Sequence, residues 1–199
     1  TISVNGAGAL LNIECNQTGV SSLDVSELEN LEKLSCEKNR RMTRLTVNGA
    51  KALKSINCEH GDIASLDVSE LTRLEYLFCL DNPRLTRLVI SGAESLFQLD
   101  CSETGITSVD AIRLPALAHW RCNKTALESL DISALKALKE LECTESLSLK
   151  SVKANGAEAL ERLDCWQTGI STIDVSELKH LTSLSCGGSE QLKELVVNG

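Results

Sequence analysis

Along this chain, aliphatic and polar residues alternate in short runs that return every 21 or 22 residues, each with cysteine in the same slot. The cysteines are Cys15, Cys36, Cys58, Cys79, Cys101, Cys122, Cys143, Cys165 and Cys186. Two residues before nearly every one stands a large aliphatic residue: Ile13, Leu34, Ile56, Leu77, Leu99, Leu141, Leu163 and Leu184. A spacing of two is strand alternation, so aliphatic residue and cysteine point to one face, and that face lies inside. A fixed period of this size predicts a solenoid in which each coil packs mainly on its neighbours.

The coils come in two lengths. In the shorter, CNQTGVSSLDVSELENLEKLSC from Cys15, Val20 follows the cysteine by five positions; in the longer, CEKNRRMTRLTVNGAKALKSINC from Cys36, Met42 follows by six. They alternate as a 43-residue unit until Cys101–Cys122 and Cys122–Cys143, both short, interrupt the order. Each coil predicts three segments: the cysteine strand, a second short parallel strand and a short helical turn. The second strand is carried by alternating runs such as Leu23-Asp24-Val25, Leu45-Thr46-Val47, Leu130-Asp131-Ile132 and Ile173-Asp174-Val175. The turn opens on Ser26, Ser69, Ser133 or Ser176 in short coils and on Asn48, Ser91 or Asn155 in long ones. These residue types cap a first turn through a side-chain oxygen. Inward residues then follow three apart, as Leu28 and Leu31 or Ala50 and Leu53 do. Gly49, Gly92 and Gly156, each followed by Ala, let that turn sit close to the core.

This pattern resembles the leucine-rich repeats, whose first half is L-x-x-L-x-L/C-x-x-N-x-L. Leu31, Leu34, Cys36 and Asn39 match it directly, as do Leu74, Leu77, Cys79 and Asn82. It is similar in particular to the 21-residue bacterial class ending in LDVS-x-x-x-x-L, found in Bacteroides-type surface proteins and, more distantly, internalins. The resemblance covers the whole chain. It implies an α/β repeat solenoid, a right-handed superhelix of parallel strands and short helical turns, in a family mainly of binding modules without shared catalytic residues. The Asn position departs from the motif at Thr18, Gly61, Thr104, Thr125, Ser146, Thr168 and Ser189, which argues against a continuous asparagine ladder. The unbroken period predicts one domain over residues 1–199, about nine repeats. Without an initiating Met or polar caps, it reads as an uncapped fragment of something longer.

Composition narrows the function. Hydrophobic residues make up 42 %, enough for a continuous core, but aromatics only 3 %, so aliphatic side chains do the filling. A net charge of −8 with no basic block argues against nucleic acid as a partner. No apolar run approaches the roughly 18 residues of a membrane-spanning helix, so no insertion is expected. Zinc sites need short cysteine pairs or histidine partners, whereas here every spacing is a full coil. Disulfides need pairs, yet nine is odd and all nine share an inward slot. The expectation is a ladder of reduced, buried cysteines with no metal and no cofactor. His60, His119 and His180 fall in no ligand spacing, no catalytic constellation is visible, and no enzyme is expected.

Asp24, Asp67, Asp110, Asp131 and Asp174 line up as a solvated column on the second strand. The mid-chain interruption removes the spacer between Asp110 and Asp131, predicting like-charge strain across neighbouring strands. The same coil carries Ala111, Ile112, Pro115 and a core Trp120 in place of the usual residues, a trade of volume within one layer.

The residues beside each cysteine face outward and are mostly polar. Tyr76, Phe78 and Leu80 break that pattern on one strand, and Trp166 stands on the same face four coils on, roughly 20 Å away at strand spacing. Asp100, His119 and Arg121 supply a polar rim. An apolar centre with such a rim marks an interaction site, which makes Tyr76, Phe78, Leu80, Asp100, His119, Arg121 and Trp166 the candidate binding residues. The expected function is non-enzymatic recognition of a protein or glycan, in a bacterial cell-surface or secreted protein. The alternatives are a cytoplasmic effector or scaffold domain that selects targets, and a structural spacer.

Overall fold

The computed structural model describes residues 2–3 and 8–197. Residues 1, 4–7, 198 and 199, on which the reading of the two ends partly rests, lie outside the described residues. The chain winds as a parallel β-solenoid of about eight turns. One wall is a nine-stranded sheet that runs in coil order from Asn12–Glu14 to Ser183–Ser185. Its register is uniform: Leu34 faces Ile56, Ile56 faces Leu77, Leu77 faces Leu99, Leu99 faces Trp120 and Trp120 faces Leu141. The aliphatic column therefore stacks on itself, and Leu77, Leu99 and Leu141 are fully buried. Burying such a side chain contributes about 1.5–3 kcal/mol, repeated in every coil.

The second wall is broken into pairs. Ser65–Asp67 joins Arg87–Val89, Ser129–Asp131 joins Ser151–Lys153, and Thr172–Asp174 joins Glu194–Val196, always a short coil with the long one after it. A three-stranded set, Ile2–Ser3 with Ser22–Asp24 and Arg44–Thr46, opens the chain. Glycine explains the pairing. A Cβ on Gly49, Gly92 or Gly156 would collide with the carbonyl oxygen of Ser26, Ser69 or Ser133 in the preceding coil. These glycines thus serve coil-to-coil approach rather than approach to the core. In short coils the same position holds Glu70, Ala134 or Glu177, whose Cβ bars an equally close approach. The 43-residue unit is a physical pair of coils.

The expected helical turn is absent: no helix forms among the described residues, and the fold is all-β rather than α/β. The spacing of three instead marks two β-turns in series. Leu28 N–H donates to the Val25 carbonyl and Leu31 N–H to that of Leu28, each at 3.0 Å, and Leu71 and Leu74 repeat this in a later coil. Each turn closes on a residue that starts the next, so every third side chain points inward. Nor does serine cap a helix. Ser26 N–H and Oγ–H both donate to Asp24 Oδ1, at 3.0 and 2.7 Å, and the Asp67–Ser69 and Asp131–Ser133 pairs do the same. The aspartates are exposed, as expected of a solvated column, but they also tie the turn.

The like-charge strain is not found. Residues 108–110 form no strand, so Asp110 and Asp131 are not ladder neighbours. Asp131 is paired instead with Lys153 at 3.0 Å. Hydrogen bonds from Ser133 hold its carboxyl below the usual range, with Lys153 adding to them. Pro115 is exposed in the turn, Ala111 and Trp120 are both buried, and the largest core side chain thus shares its coil with one of the smallest.

Candidate functional site

The cysteine column follows from the sheet. In six coils the cysteine N–H and its thiol converge on one carbonyl of the next coil. Cys36 does so on Asn57 (N 2.8 Å, Sγ 3.5 Å) and Cys79 on Asp100 (2.9 and 3.4 Å). All nine cysteines are free; the seven inner ones are buried, and Cys15 and Cys186 in the end coils are half-buried. Burial pushes the seven buried thiols up, Cys36, Cys101 and Cys165 to about 12. A protonated thiol is a poor nucleophile, so this column is structural.

After each cysteine the backbone makes a left-handed step. Gln17, Lys38, His60, Asp81, Glu103, Lys124, Glu145 and Gln167 all have φ between 50° and 58°, and Gly188 ends the column. Sequence pattern did not reveal this, since Gly188 is the one glycine in the column, and His60 and Asp81 are the other residue types that favour this region. Asn39 and Asn82 brace the loop that follows. Asn39 Nδ2 donates to the Cys15 and Cys36 carbonyls at 2.9 and 2.8 Å, and Asn82 treats Cys58 and Cys79 alike. Later coils replace asparagine by a hydroxyl relay in which Thr125 N–H donates to Ser146 Oγ, and Ser146 Oγ–H to the Cys122 carbonyl. The brace thus recurs with a changing residue type and is interrupted at Gly61, which has no side chain to offer.

The outward face of the nine-stranded sheet is a mesh of polar pairs. Asn16 Oδ1 accepts from Ser35 Oγ and Glu37 N, and Asn123 Oδ1 from Thr144 N and Oγ1. Arg121 Nε donates to Glu142 at 3.2 Å, and Glu140 takes Arg162 at 2.6 Å and lies 3.2 Å from His119 Nδ1. Tyr76, Phe78 and Leu80 interrupt the mesh, as strand parity predicted. Tyr76 is exposed, whereas Phe78 and Leu80 are half-buried. Asp100, expected in an open rim, is almost covered, as is its neighbour Ser102.

Phe97 was missed. It is 41 % exposed, and its ring stands edge-on to Tyr76 (centroids 6.2 Å apart) and to His119 (5.2 Å). It shares its parity with inward Leu99, but the strand begins only at Gln98, so alternation does not yet apply. The scarcity of aromatics was the one signal that could have singled it out. Trp166 is likewise 41 % exposed, yet its ring rests by Gly187 and Gly188, four coils from Leu80, and joins no common site with it. The histidines stay apart: His60 pairs with Asp81 at 2.8 Å, His119 meets Glu140, and His180 lies exposed in a shallow cleft with Lys136 and Glu158. Among the described residues no cluster of histidine, cysteine, aspartate or glutamate could hold a metal, and no helix is long and apolar enough to cross a membrane.

No family model and no curated protein matches the chain. Solved structures do. The functional domain of InlJ from Listeria monocytogenes, described as including a cysteine ladder, matches over 94 % of this chain at 22 % identity and a TM-score of 0.56; the chain spans 57 % of its length. The leucine-rich repeat domain of the type III effector XopL matches over 94 % of this chain and 71 % of its own, at 21 % identity and a TM-score of 0.84. A TLR13–ssRNA13 complex matches over 94 % of this chain and 36 % of TLR13, at 22 % identity and a TM-score of 0.60. With the uniform register, the tandem turns and the cysteine column, these likenesses show that the chain has the leucine-rich repeat fold.

Proposed function

We propose that this chain is a non-enzymatic binding module. Its partner, a protein or glycan, docks on the outward face of the cysteine-strand sheet around Tyr76, Phe78, Leu80 and Phe97. One observation carries the reading: the edge-on stack of exposed Tyr76 and Phe97 with half-buried His119 lies beside Phe78 and Leu80 on a face knitted mostly from polar pairs. Exposed rings cost solvation without supporting a core layer, and aromatic anchors dominate the energetics of interfaces. Asp100, Arg121 and the His119–Glu140–Arg162 chain form the rim; Trp166 is a separate, secondary anchor.

The fold likeness to the InlJ domain with its own cysteine ladder supports placing the module in a bacterial cell-surface or secreted protein. An intracellular effector or scaffold would use the same face, and the likeness to the XopL repeat domain supports that alternative. The test is a binding titration with candidate proteins and glycans. Phe78→Ala and Phe97→Ala weaken binding roughly tenfold or more with little change in melting temperature, while Asp24→Asn on the other wall leaves affinity unchanged. Normal binding by both Phe variants would show that the functional face lies elsewhere.

A further inference from the structure

At the heart of this face lies a carboxylate without a counter-charge. Asp100 is 8 % exposed and sits in register between Phe78 and Arg121. Its Oδ1 accepts the Ser102 N–H at 3.1 Å; among the described residues Oδ2 accepts no hydrogen bond and no cation pairs with either oxygen. Arg121, the cation next to it in the sheet, gives its Nε to Glu142 on the far side. Glu140 and Glu142 each have a cationic partner. Glu59, beside Leu80 on the other flank of the apolar strand, adds a second negative charge. Burial pushes its carboxyl up, and the charge of Asp100 pushes it further.

Asp100 Oδ2 is not among the enclosed atoms without a partner, so it opens to solvent and to an incoming cation, and one backbone N–H leaves most of the carboxylate's hydrogen-bonding capacity unused. Next to it are apolar surfaces that suit the stem of a long cationic side chain: the Phe78 and Leu80 side chains and the exposed Tyr76 ring. Resting on the reading of this face as the binding face, we propose that it recognises a lysine or arginine side chain of a partner polypeptide. Asp100 receives the charged head and Glu59 reinforces the field. The stem and a neighbouring apolar residue lie on Tyr76, Phe78 and Leu80.

The experiment pans a random displayed-peptide library on the immobilised 199-residue chain and on its Asp100→Asn and Phe78→Ala variants. The expected result is enrichment of peptides with Lys or Arg next to an aromatic or aliphatic residue. The best of these should bind Asp100→Asn at least tenfold more weakly. Changing the peptide's Lys or Arg to Gln should remove most of that difference, since the two groups act as a pair. Asp100→Asn should also melt no lower than the parent chain, because it lifts an uncompensated charge; a clearly lower melting temperature would mean Asp100 is already paired and would overturn the proposal. Apolar peptides without basic bias, lost with Phe78→Ala but indifferent to Asp100→Asn, overturn the cation and leave the face standing. Peptides that bind Phe78→Ala as well as the parent, or no enrichment at all, overturn both.

Discussion

Asn82 fills the room that Gly61 leaves in the preceding coil: a Cβ on Gly61 would stand 2.7 Å from Asn82 Oδ1. From there Asn82 donates to the Cys58 and Cys79 carbonyls and accepts the Ile63 N–H at 3.1 Å, all out of water. Asn82→Ala strips these groups of a partner, and each orphaned buried group costs about 1–3 kcal/mol. We expect a loss of about 2–4 kcal/mol in urea denaturation of the whole chain. Arg84→Ala, which breaks only the exposed pair with Asp62, should cost less than about 1 kcal/mol. Equal stability of the two variants would contradict the bracing role.

The thiols should make the fold sensitive to alkali. Their ordinary pKa is 9.0, and burial raises Cys36, Cys101 and Cys165 to about 12. A raised folded pKa contributes stability that is whole below pH 9 and is lost as the pH climbs towards 12, because the unfolded chain releases protons that the folded chain keeps. The melting temperature should therefore hold from pH 7 to about 9 and fall above it. In native thiol labelling, half-buried Cys15 and Cys186 react first and the seven buried cysteines only on unfolding.

The left-handed column offers a stabilising substitution. Lys124 has φ 54°, a conformation costing roughly 1–2 kcal/mol for a residue with a Cβ. Its pairs with Glu103 (3.5 Å) and Glu145 (3.9 Å) are exposed and are worth about 0–1 kcal/mol. Relief of strain outweighs the pairs, so Lys124→Gly should raise the urea midpoint or leave it unchanged. Lys124→Val, β-branched at positive φ, should lower it. The reverse order would refute the strain argument.

The aspartate–serine turns predict an acid response. Ser133 Oγ–H and N–H hold the Asp131 carboxyl below its ordinary value of 3.8. A lowered folded pKa contributes stability present above pH 3.8 and lost as the pH falls through the folded value. Ser133→Ala should therefore melt below the parent chain at neutral pH, and the gap should close in acid. A gap that persists unchanged at low pH would mean the serine acts by packing instead.

The coil period, inward cysteine column, parallel sheet and outward Tyr76, Phe78 and Leu80 were all legible in the residue order. They rest on strand alternation, which depends only on parity and the burial of apolar groups. The face's binding role and the identity of its ligand are not questions that parity can answer. Where the chain leaves the strand, parity stops. Phe97 stands one residue too early to obey it, and three-residue spacing fits one helical turn or two β-turns equally well.

Tertiary structure decided between those by hydrogen bonding: each turn in Val25-to-Leu31 closes on its own carbonyl, and no fourth residue continues a helix. It also decided that coils pair through Gly49, Gly92 and Gly156, that Asp131 meets Lys153 rather than Asp110, and that Asp100 is covered without a cation. Each of these depends on distances between coils more than twenty residues apart in sequence. A local pattern sets which way a side chain points, but only the stacking of neighbouring coils determines what it meets there.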